Sequence, residues 1–117
     1  MAITYVDAVV RGPSGEERAL QLLVDSGATY SVLPEVVWRE LGLKPKRALS
    51  FSLADGTLIA REISECEFEF EGESAHSPVV LGEGADEAIL GVVTLETLGL
   101  VINPFDRSLR PMRLLMA

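Results

Sequence analysis

The residues of this sequence best suited to chemistry are Asp25, Ser26 and Gly27, which directly follow the apolar residues 22–24. An apolar strand ending here carries the Asp25 carboxylate toward the interior, and the small residues after it let the chain bend sharply. Burial disfavours a charged carboxylate, so keeping one in such a place calls for a reason. One reason is catalysis, because an ionised carboxylate can act as a general base toward water. The alternative is that the Asp25 side chain only caps a turn or the following helix.

Short strand-like runs, separated by Gly, Pro and Asp, must position this loop. Residues 3–11 are rich in β-branched and apolar side chains and stop at turn-forming residues, so residues 17–24 are expected to return as the second arm of a hairpin. Residues 65–71 alternate Glu with Cys or Phe, which predicts a strand with one exposed and one buried face. Further strands are predicted over residues 51–54, 57–63, 78–81, 88–90, 100–102 and 109–115.

Turn and helix signals complete the expected fold. The pair Asp55-Gly56 lies between two apolar runs and predicts a two-residue hairpin turn. Helices are expected only over residues 34–41, with Pro34 at the first helical position, and over residues 94–98. Many short strands with one or two short helices indicate an all-β, closed or sandwich-like architecture.

Length and composition limit the possible functions. The 117 residues predict a single domain spanning residues 1–117, and the net charge of −8 argues against binding to nucleic acid. One Cys and one His cannot build a Cys-rich zinc site, and we expect neither a metal nor a cofactor. No stretch approaches the roughly 20 apolar residues of a membrane span, and the N-terminus lacks signal-peptide features. We therefore expect a cytoplasmic protein without membrane contact.

Four features in order resemble the retropepsin-like aspartic proteases, which are single-domain relatives of pepsin. The segment Leu23-Val24-Asp25-Ser26-Gly27-Ala28 resembles their active-site loop, and the hairpin with Asp55-Gly56 at its tip lies where the family has its flap. Ala88-Ile89-Leu90-Gly91 resembles the element that packs beside the active-site loop, and Leu95-Glu96-Thr97-Leu98 a short helix of the family. The resemblance covers about residues 3–115 and implies a closed all-β barrel.

The resemblance also implies roles for individual residues. Asp25 would hold the nucleophilic water, Ser26 would hydrogen-bond across a dimer, and Gly27 would present backbone groups to an extended peptide. Ala28 would leave space beside the catalytic carboxylates. The flap would close over the substrate and exclude water. Its residues are Leu53, Ala54, Asp55, Gly56 and Thr57, and those that pack beside the active-site loop are Ile89, Leu90 and Gly91.

The number of Asp-Ser/Thr-Gly sequences in the chain bears on its oligomeric state. Aspartic-protease chemistry needs two carboxylates that share a proton, one acting as base and the other as acid. The chain has one Asp-Ser/Thr-Gly sequence, since Asp55-Gly56-Thr57 has the wrong order. The second carboxylate must then be Asp25 of another copy, which predicts a homodimer that cleaves extended polypeptide at mildly acidic pH. The alternatives are a catalytically silent dimerisation or peptide-binding module, or a protease domain cut from a larger polyprotein or membrane protein.

Other residues depart from the family pattern or suggest no chemistry. Thr29 and Val92 stand roughly where retroviral members carry an acidic residue and an Arg near the dimer interface. Dimerisation would therefore use other contacts, such as residues 112–116, for which ordinary core packing is the alternative. His76 is expected on the surface in a polar turn, and Cys66 is expected as a buried, unreactive thiol.

Overall fold

The computed structural model describes residues 4–113, 115 and 116 of the chain. The described part is mostly β-structure with two short helices, α1 (Glu35–Glu40) and α2 (Val92–Thr97), which confirms the predicted all-β class. The strands are β1 (Thr4–Arg11), β2 (Glu17–Val24), β3 (Ser31–Leu33), β4 (Arg47–Ser52), β5 (Leu58–Phe70), β6 (Glu73–Leu81), β7 (Ile89–Leu90), β8 (Leu100–Ile102) and β9 (Leu109–Pro111).

The main sheet closes on itself. Its strands follow the order β1-β2-β7-β3-β6-β5-β4, and β1 pairs additionally with β5, so that β1, β2, β7, β3, β6 and β5 form a ring with β4 attached outside it. This arrangement agrees with the predicted closed barrel. Strands β8 and β9 form a separate two-stranded sheet.

The seam that closes the ring is short and charged. Strands β1 and β5 meet through Val9↔Glu69, Val10↔Phe68 and Arg11↔Glu67. The Arg11 guanidinium bridges this seam, with one terminal nitrogen 2.6 Å from a Glu67 oxygen and the other 2.7 Å from a Glu69 oxygen. Charge-assisted hydrogen bonds of this kind reinforce a junction that few backbone pairs maintain.

Strand β5 shows the predicted alternation. Cys66 and Phe68 point inward, where they are 3% and 1% exposed, and they belong to the hydrophobic core. Burial raises the pKa of the Cys66 thiol to about 12, so this side chain is protonated near neutral pH. The interpretation of Cys66 as a buried thiol is therefore confirmed.

Strand β5 is nevertheless longer than the sequence indicated. Residues 57–63 and 65–71 were expected as two strands, but residues 58–70 form a single strand. His76, expected in a polar turn, is exposed on β6 opposite Glu67. The turn lies earlier, at Glu71 and Gly72, whose φ angles of 49° and 84° suit the two-residue hairpin between Phe70 and Glu73. The mostly polar residues 73–77 did not indicate a strand in the sequence. They form one because β6 pairs with an antiparallel partner and exposes one face to water.

Both helices lie near their predicted positions. Pro34 precedes α1 as its N-cap instead of occupying the first helical position. The first helical turn of α2 begins at Val92, two residues before the predicted start. Within the part of the chain described, no helix has the length and apolar character needed to cross a membrane.

The C-terminal strand is shorter than predicted, because β9 ends at Pro111. Leu115 and Met116 are 79% and 99% exposed, so the alternative of ordinary core packing is wrong for these two residues. Leu114 lies outside the described residues, and the use of residues 112–116 as a dimer contact stays a prediction.

Candidate active site

Asp25 lies immediately after the last residue of β2, where this strand runs beside β7. Val24 pairs in parallel with Leu90, and the Asp25 N–H donates a hydrogen bond to the Leu90 carbonyl oxygen at 3.1 Å. Two residues earlier in each segment, the Leu23 N–H donates to the Ala88 carbonyl oxygen at 3.0 Å. The backbone of Asp25 is thus fixed by the neighbouring strand, and its side chain is half-buried.

The loop after β2 folds around the Asp25 side chain. The Gly27 N–H donates to Asp25 Oδ1 at 2.8 Å, and the Ala28 N–H donates to the Asp25 carbonyl oxygen at 3.1 Å. The first of these is the turn-capping contact named above as the alternative role of Asp25. A Cβ at Gly27 would lie 3.2 Å from Asp25 Oδ1, so a larger residue would press on the carboxylate.

The start of α2 fixes the far side of the same loop. The Val92 N–H donates to the Ala28 carbonyl oxygen at 2.9 Å, and the Val93 N–H donates to the Thr29 carbonyl oxygen at 3.0 Å. Leu90 and Gly91, which the resemblance placed beside the loop, lie between these contacts and the end of β7. Leu90 holds the loop through its carbonyl oxygen, which accepts the Asp25 N–H, while its side chain belongs to the hydrophobic core.

A buried set of hydroxyl groups lies beneath the loop, and sequence reasoning missed it. The Gly91 N–H donates to Ser31 Oγ at 2.9 Å, and Ser31 Oγ is also hydrogen-bonded to Thr94 Oγ1. Thr94 Oγ1 in turn lies 2.8 Å from Ser77 Oγ, which donates to the Pro78 carbonyl oxygen. Ser31, Thr94 and Ser77 are all nearly inaccessible to solvent. The sequence signal for this set was the presence of single hydroxyl residues within otherwise apolar segments.

Gly91 allows β3 and the start of α2 to approach closely. A Cβ placed on Gly91 would lie 2.5 Å from the Tyr30 carbonyl carbon, 2.6 Å from its oxygen and 2.9 Å from the Ser31 nitrogen. Distances below 3.0 Å are essentially never seen for a Cβ, and these neighbours are backbone atoms. Glycine is therefore required here by space.

The hairpin between β4 and β5 carries the residues predicted as a flap. The Leu53 N–H donates to the Thr57 carbonyl oxygen at 2.8 Å, and the Gly56 N–H donates to the Leu53 carbonyl oxygen at 2.9 Å. With Gly56 at a φ of 87°, this is a three-residue loop of Ala54, Asp55 and Gly56, and the predicted two-residue turn is wrong. Hydrogen bonds from Thr57 hold the pKa of Asp55 below its usual value.

The hairpin and the Asp25 loop enclose an open groove of about 590 Å³. Asp25, Gly27, Ala28 and Ile89 line it from the barrel side, and Leu53 and Ala54 line it from the hairpin. Its remaining lining combines five apolar or aromatic side chains with six polar or charged ones. The apolar and aromatic ones are Tyr30, Val32, Phe51, Ile59 and Val80.

Not all of the predicted site residues meet in this groove. Ser26 lines a different cavity on the other side of the loop, together with α2 and β8. Asp55, Gly56 and Thr57 at the hairpin tip do not line the groove. The structure of one chain therefore separates Asp25, which faces the groove, from Ser26, which faces away from it.

A second carboxylate in the groove is engaged in an ion pair. Arg61 on β5 donates from Nε to Asp86 Oδ2 at 2.8 Å and from a terminal nitrogen to Asp86 Oδ1 at 3.3 Å. Hydrogen bonding to Arg61 holds the pKa of Asp86 below its usual value. This pair links the strand that carries the hairpin to the loop before β7, and sequence reasoning did not foresee it.

Metal ligands do not cluster in this region. Within residues 4–113, 115 and 116, there is no group of three or more His, Cys, Asp or Glu side chains that could hold a metal ion.

Comparison with known proteins agrees with this geometry. A family model described as gag-polyprotein putative aspartyl protease matches residues 14–97, which include the Asp25 loop, the hairpin and Gly91. No curated protein was found that matches the chain. Because the model matches well over half of the sequence, the chain belongs to this family of gag-polyprotein aspartyl proteases, a retropepsin-like group.

Proposed function

We propose that the protein is an aspartic endopeptidase that hydrolyses peptide bonds as a homodimer. The observation that carries the proposal is the placement of the Asp25 carboxylate in an open, partly apolar groove under a β-hairpin. Two Asp25 carboxylates brought together would share one proton, since two like charges about 3 Å apart cannot both ionise. The ionised one accepts a proton from water while the other donates its proton to the scissile carbonyl oxygen. The resulting tetrahedral adduct then breaks down to the acid and the amine.

The second carboxylate comes from a second copy of the chain. The described groove also contains Asp86, whose carboxylate is bound to Arg61, and the exposed Glu87 from the same loop. Neither belongs to an Asp-Ser/Thr-Gly sequence, so we take Asp25 of the partner subunit as the second carboxylate. Exposed apolar side chains are consistent with a partner surface: Tyr5, Val101 and Phe105 are 54%, 45% and 96% exposed. A dimer interface that included these side chains would remove their apolar surface from water.

The proposed substrate is an extended polypeptide. A groove between a hairpin and a sheet-borne loop suits a peptide strand, which can be bound through main-chain hydrogen bonds and through side chains that enter apolar subsites. Tyr30 and Phe51 pack edge to face with ring centroids 6.2 Å apart, joining the barrel to the base of the hairpin. Closure of the hairpin would exclude water and strengthen polar interactions in the site.

The test compares the wild type with Asp25→Asn on an unfolded protein and on a peptide library between pH 4 and 7. We expect cleavage by the wild type, a loss of at least about a thousandfold in the variant, and retention of the dimer in sedimentation experiments. Asp7→Asn on β1 is a matched control because Asp7 is exposed and is not among the residues that line the groove.

Two outcomes would reject the proposal. Equal cleavage by Asp25→Asn and wild type would mean that another group performs the hydrolysis. Peptide binding without cleavage by the wild type would identify the protein as a silent peptide-binding module. We further expect kcat/KM to be highest at mildly acidic pH, because the active form of the pair has one proton.

A further inference from the structure

Arg107 has an unusual backbone conformation. It lies in the connection between β8 and β9 and adopts a φ of 63°, a left-handed value that is uncommon for residues other than glycine. Its N–H donates to the Asn103 carbonyl oxygen at 2.8 Å, and its carbonyl oxygen accepts a hydrogen bond from Thr4 Oγ1 at 3.0 Å. These contacts with its own turn and with β1 hold the strained conformation in place.

The Arg107 side chain lacks a partner among the described residues. Its Nε is buried and has no hydrogen-bond acceptor, and no described carboxylate lies within ion-pair distance of its guanidinium. The neighbouring Arg110 is different, since it is exposed and pairs with Asp106 at 3.1 Å. A buried, unsatisfied donor of a charged group is costly, and native proteins rarely leave one. The Arg107 charge therefore has no acceptor among the described residues, and an acceptor from a second chain would have to reach its terminal nitrogens, because Nε is inaccessible from outside.

The position of Arg107 indicates where that acceptor comes from. It lines a cavity of about 250 Å³ together with Ser26, Val101 and Glu96. Ser26 is adjacent to Asp25 in the chain, so in the proposed homodimer we place the two Ser26-side cavities beside the two-fold axis that relates the Asp25 carboxylates. In a two-fold symmetric interface, a contact from one residue of the first subunit to another residue of the second subunit is repeated in the opposite direction.

Glu96 provides the complementary charge. It is the acidic residue among those that line the cavity, it is exposed on α2, and it forms no ion pair with the described residues. A guanidinium presents its donors in a planar fork that matches a carboxylate. One cation and one anion on a single self-complementary surface therefore make two equivalent ion pairs in a symmetric dimer.

We propose that the guanidinium of Arg107 binds the carboxylate of Glu96 of the partner subunit, so that two reciprocal ion pairs orient the dimer beside the Asp25 pair. This inference rests on the proposed homodimer and names the contact that assembles it. It also offers a substitute for the interface charges that are missing at Thr29 and Val92. Arg107 is in this view a positioning residue that acts through assembly.

The test is rescue by mixing. In a homodimer of Arg107→Glu, both proposed contacts would place two carboxylates together, and in a homodimer of Glu96→Arg they would place two cations together. We expect each variant alone to raise the dimer dissociation constant about a hundredfold or more. In the mixed dimer both contacts regain opposite charges, so an equimolar mixture should form heterodimers with near wild-type affinity. Native mass spectrometry resolves the heterodimer from the two homodimers.

Mixing separates this contact from a pairing within one chain. If Arg107 bound Glu96 of its own chain, each variant would keep its clash in the mixture and no rescue would occur. Arg110→Glu is the control, because it makes the same change of charge on the same hairpin at a residue that already has a partner. Rescue of Arg110→Glu by Glu96→Arg to the same extent would overturn the specific pairing.

A neutral pair of variants covers the case in which charge reversal prevents folding. Arg107→Gln and Glu96→Gln should each weaken the dimer, and their mixture should recover one intact ion pair and part of the affinity. Wild-type-like dimerisation by every variant, or an absence of rescue in both mixtures, would reject the inference. A wild type that dimerises and cleaves peptide while failing these tests leaves the proposed function intact, whereas a wild type that stays monomeric rejects the homodimer itself.

Discussion

Replacement of Gly91 by alanine tests whether the contact between β3 and α2 supports the Asp25 loop. The new Cβ would begin 2.5 Å from the Tyr30 carbonyl carbon, and backbone atoms would have to separate by at least 0.5 Å to reach the 3.0 Å limit for such contacts. Gly91 has a φ of −95°, which alanine adopts freely, so the strain comes from space alone. The displacement would also lengthen the 2.9 Å hydrogen bond from Gly91 to Ser31 Oγ.

The size of the effect follows from two costs. Forcing an extra methyl group into a packed interior costs about 1–3 kcal/mol. Leaving a buried donor or acceptor poorly satisfied costs about 1–3 kcal/mol more. We therefore expect Gly91→Ala to lower the free energy of unfolding by about 2–6 kcal/mol, a large share of the stability of a domain of this size.

Denaturant-induced unfolding followed by Trp38 fluorescence measures this change. The control is Gly72→Ala, because a Cβ at Gly72 meets no atom within 4 Å and only the positive φ of 84° opposes it. We expect a loss of about 1 kcal/mol for the control. If Gly91→Ala were no more destabilising than Gly72→Ala, the close approach of Tyr30 and Gly91 would not matter and the reasoning would be refuted.

Three further predictions concern the buried hydroxyl set, an exposed carboxylate and the thiol. Thr94→Val should lower the free energy of unfolding by about 1–3 kcal/mol, because it removes the hydrogen-bond partner of Ser31 and Ser77. The control Thr97→Val, at an exposed position, should change it by less than about 0.5 kcal/mol. Equal effects of the two variants would contradict a stabilising role of the buried hydroxyl set. Hydrogen bonds from Ser108, with a smaller contribution from Arg110, lower the pKa of Asp106 to about 2, so the stability they contribute is present above pH 3.8 and lost as the pH falls toward 2. Asp106→Asn should therefore lose less stability than the wild type over that interval in acid titrations, and parallel curves would refute this. Cys66 should resist alkylation at pH 8 in the folded protein and react once it is unfolded, since burial raises its pKa to about 12; rapid labelling of the native state would exclude this.

The sequence predicted those parts of the fold that local patterns determine. Residues 17–24 form the expected strand with Asp25 directly after it, and the alternation around Cys66 and Phe68 separates buried from exposed faces as expected. Both features depend on neighbours in the chain, on a period of two and on turn-forming residues. The family resemblance rested on these same local segments.

Features that depend on distant residues could not be predicted in this way. The extent of β5 and the strand position of His76 follow from pairing with a partner strand, which overrides the polar character of residues 73–77. The Arg61–Asp86 pair joins residues 25 positions apart, and the hydroxyl set joins Ser31 to a residue 63 positions away. The roles of the Asp25 loop and of the hairpin residues stay predictions, because they concern a substrate and a second subunit.

The charged junction between β1 and β5 has a consequence for how the barrel opens and for strand exchange between chains. Eight residue pairs join β1 to β2 but only three join it to β5, so β1 would separate from β5 before it separates from β2. Separation of β1 from β5 would leave two unpaired edge strands, which can form β-sheets with strands of other chains. By binding Glu67 and Glu69 across this junction, Arg11 helps to protect the molecule against exchange of strands with neighbouring chains.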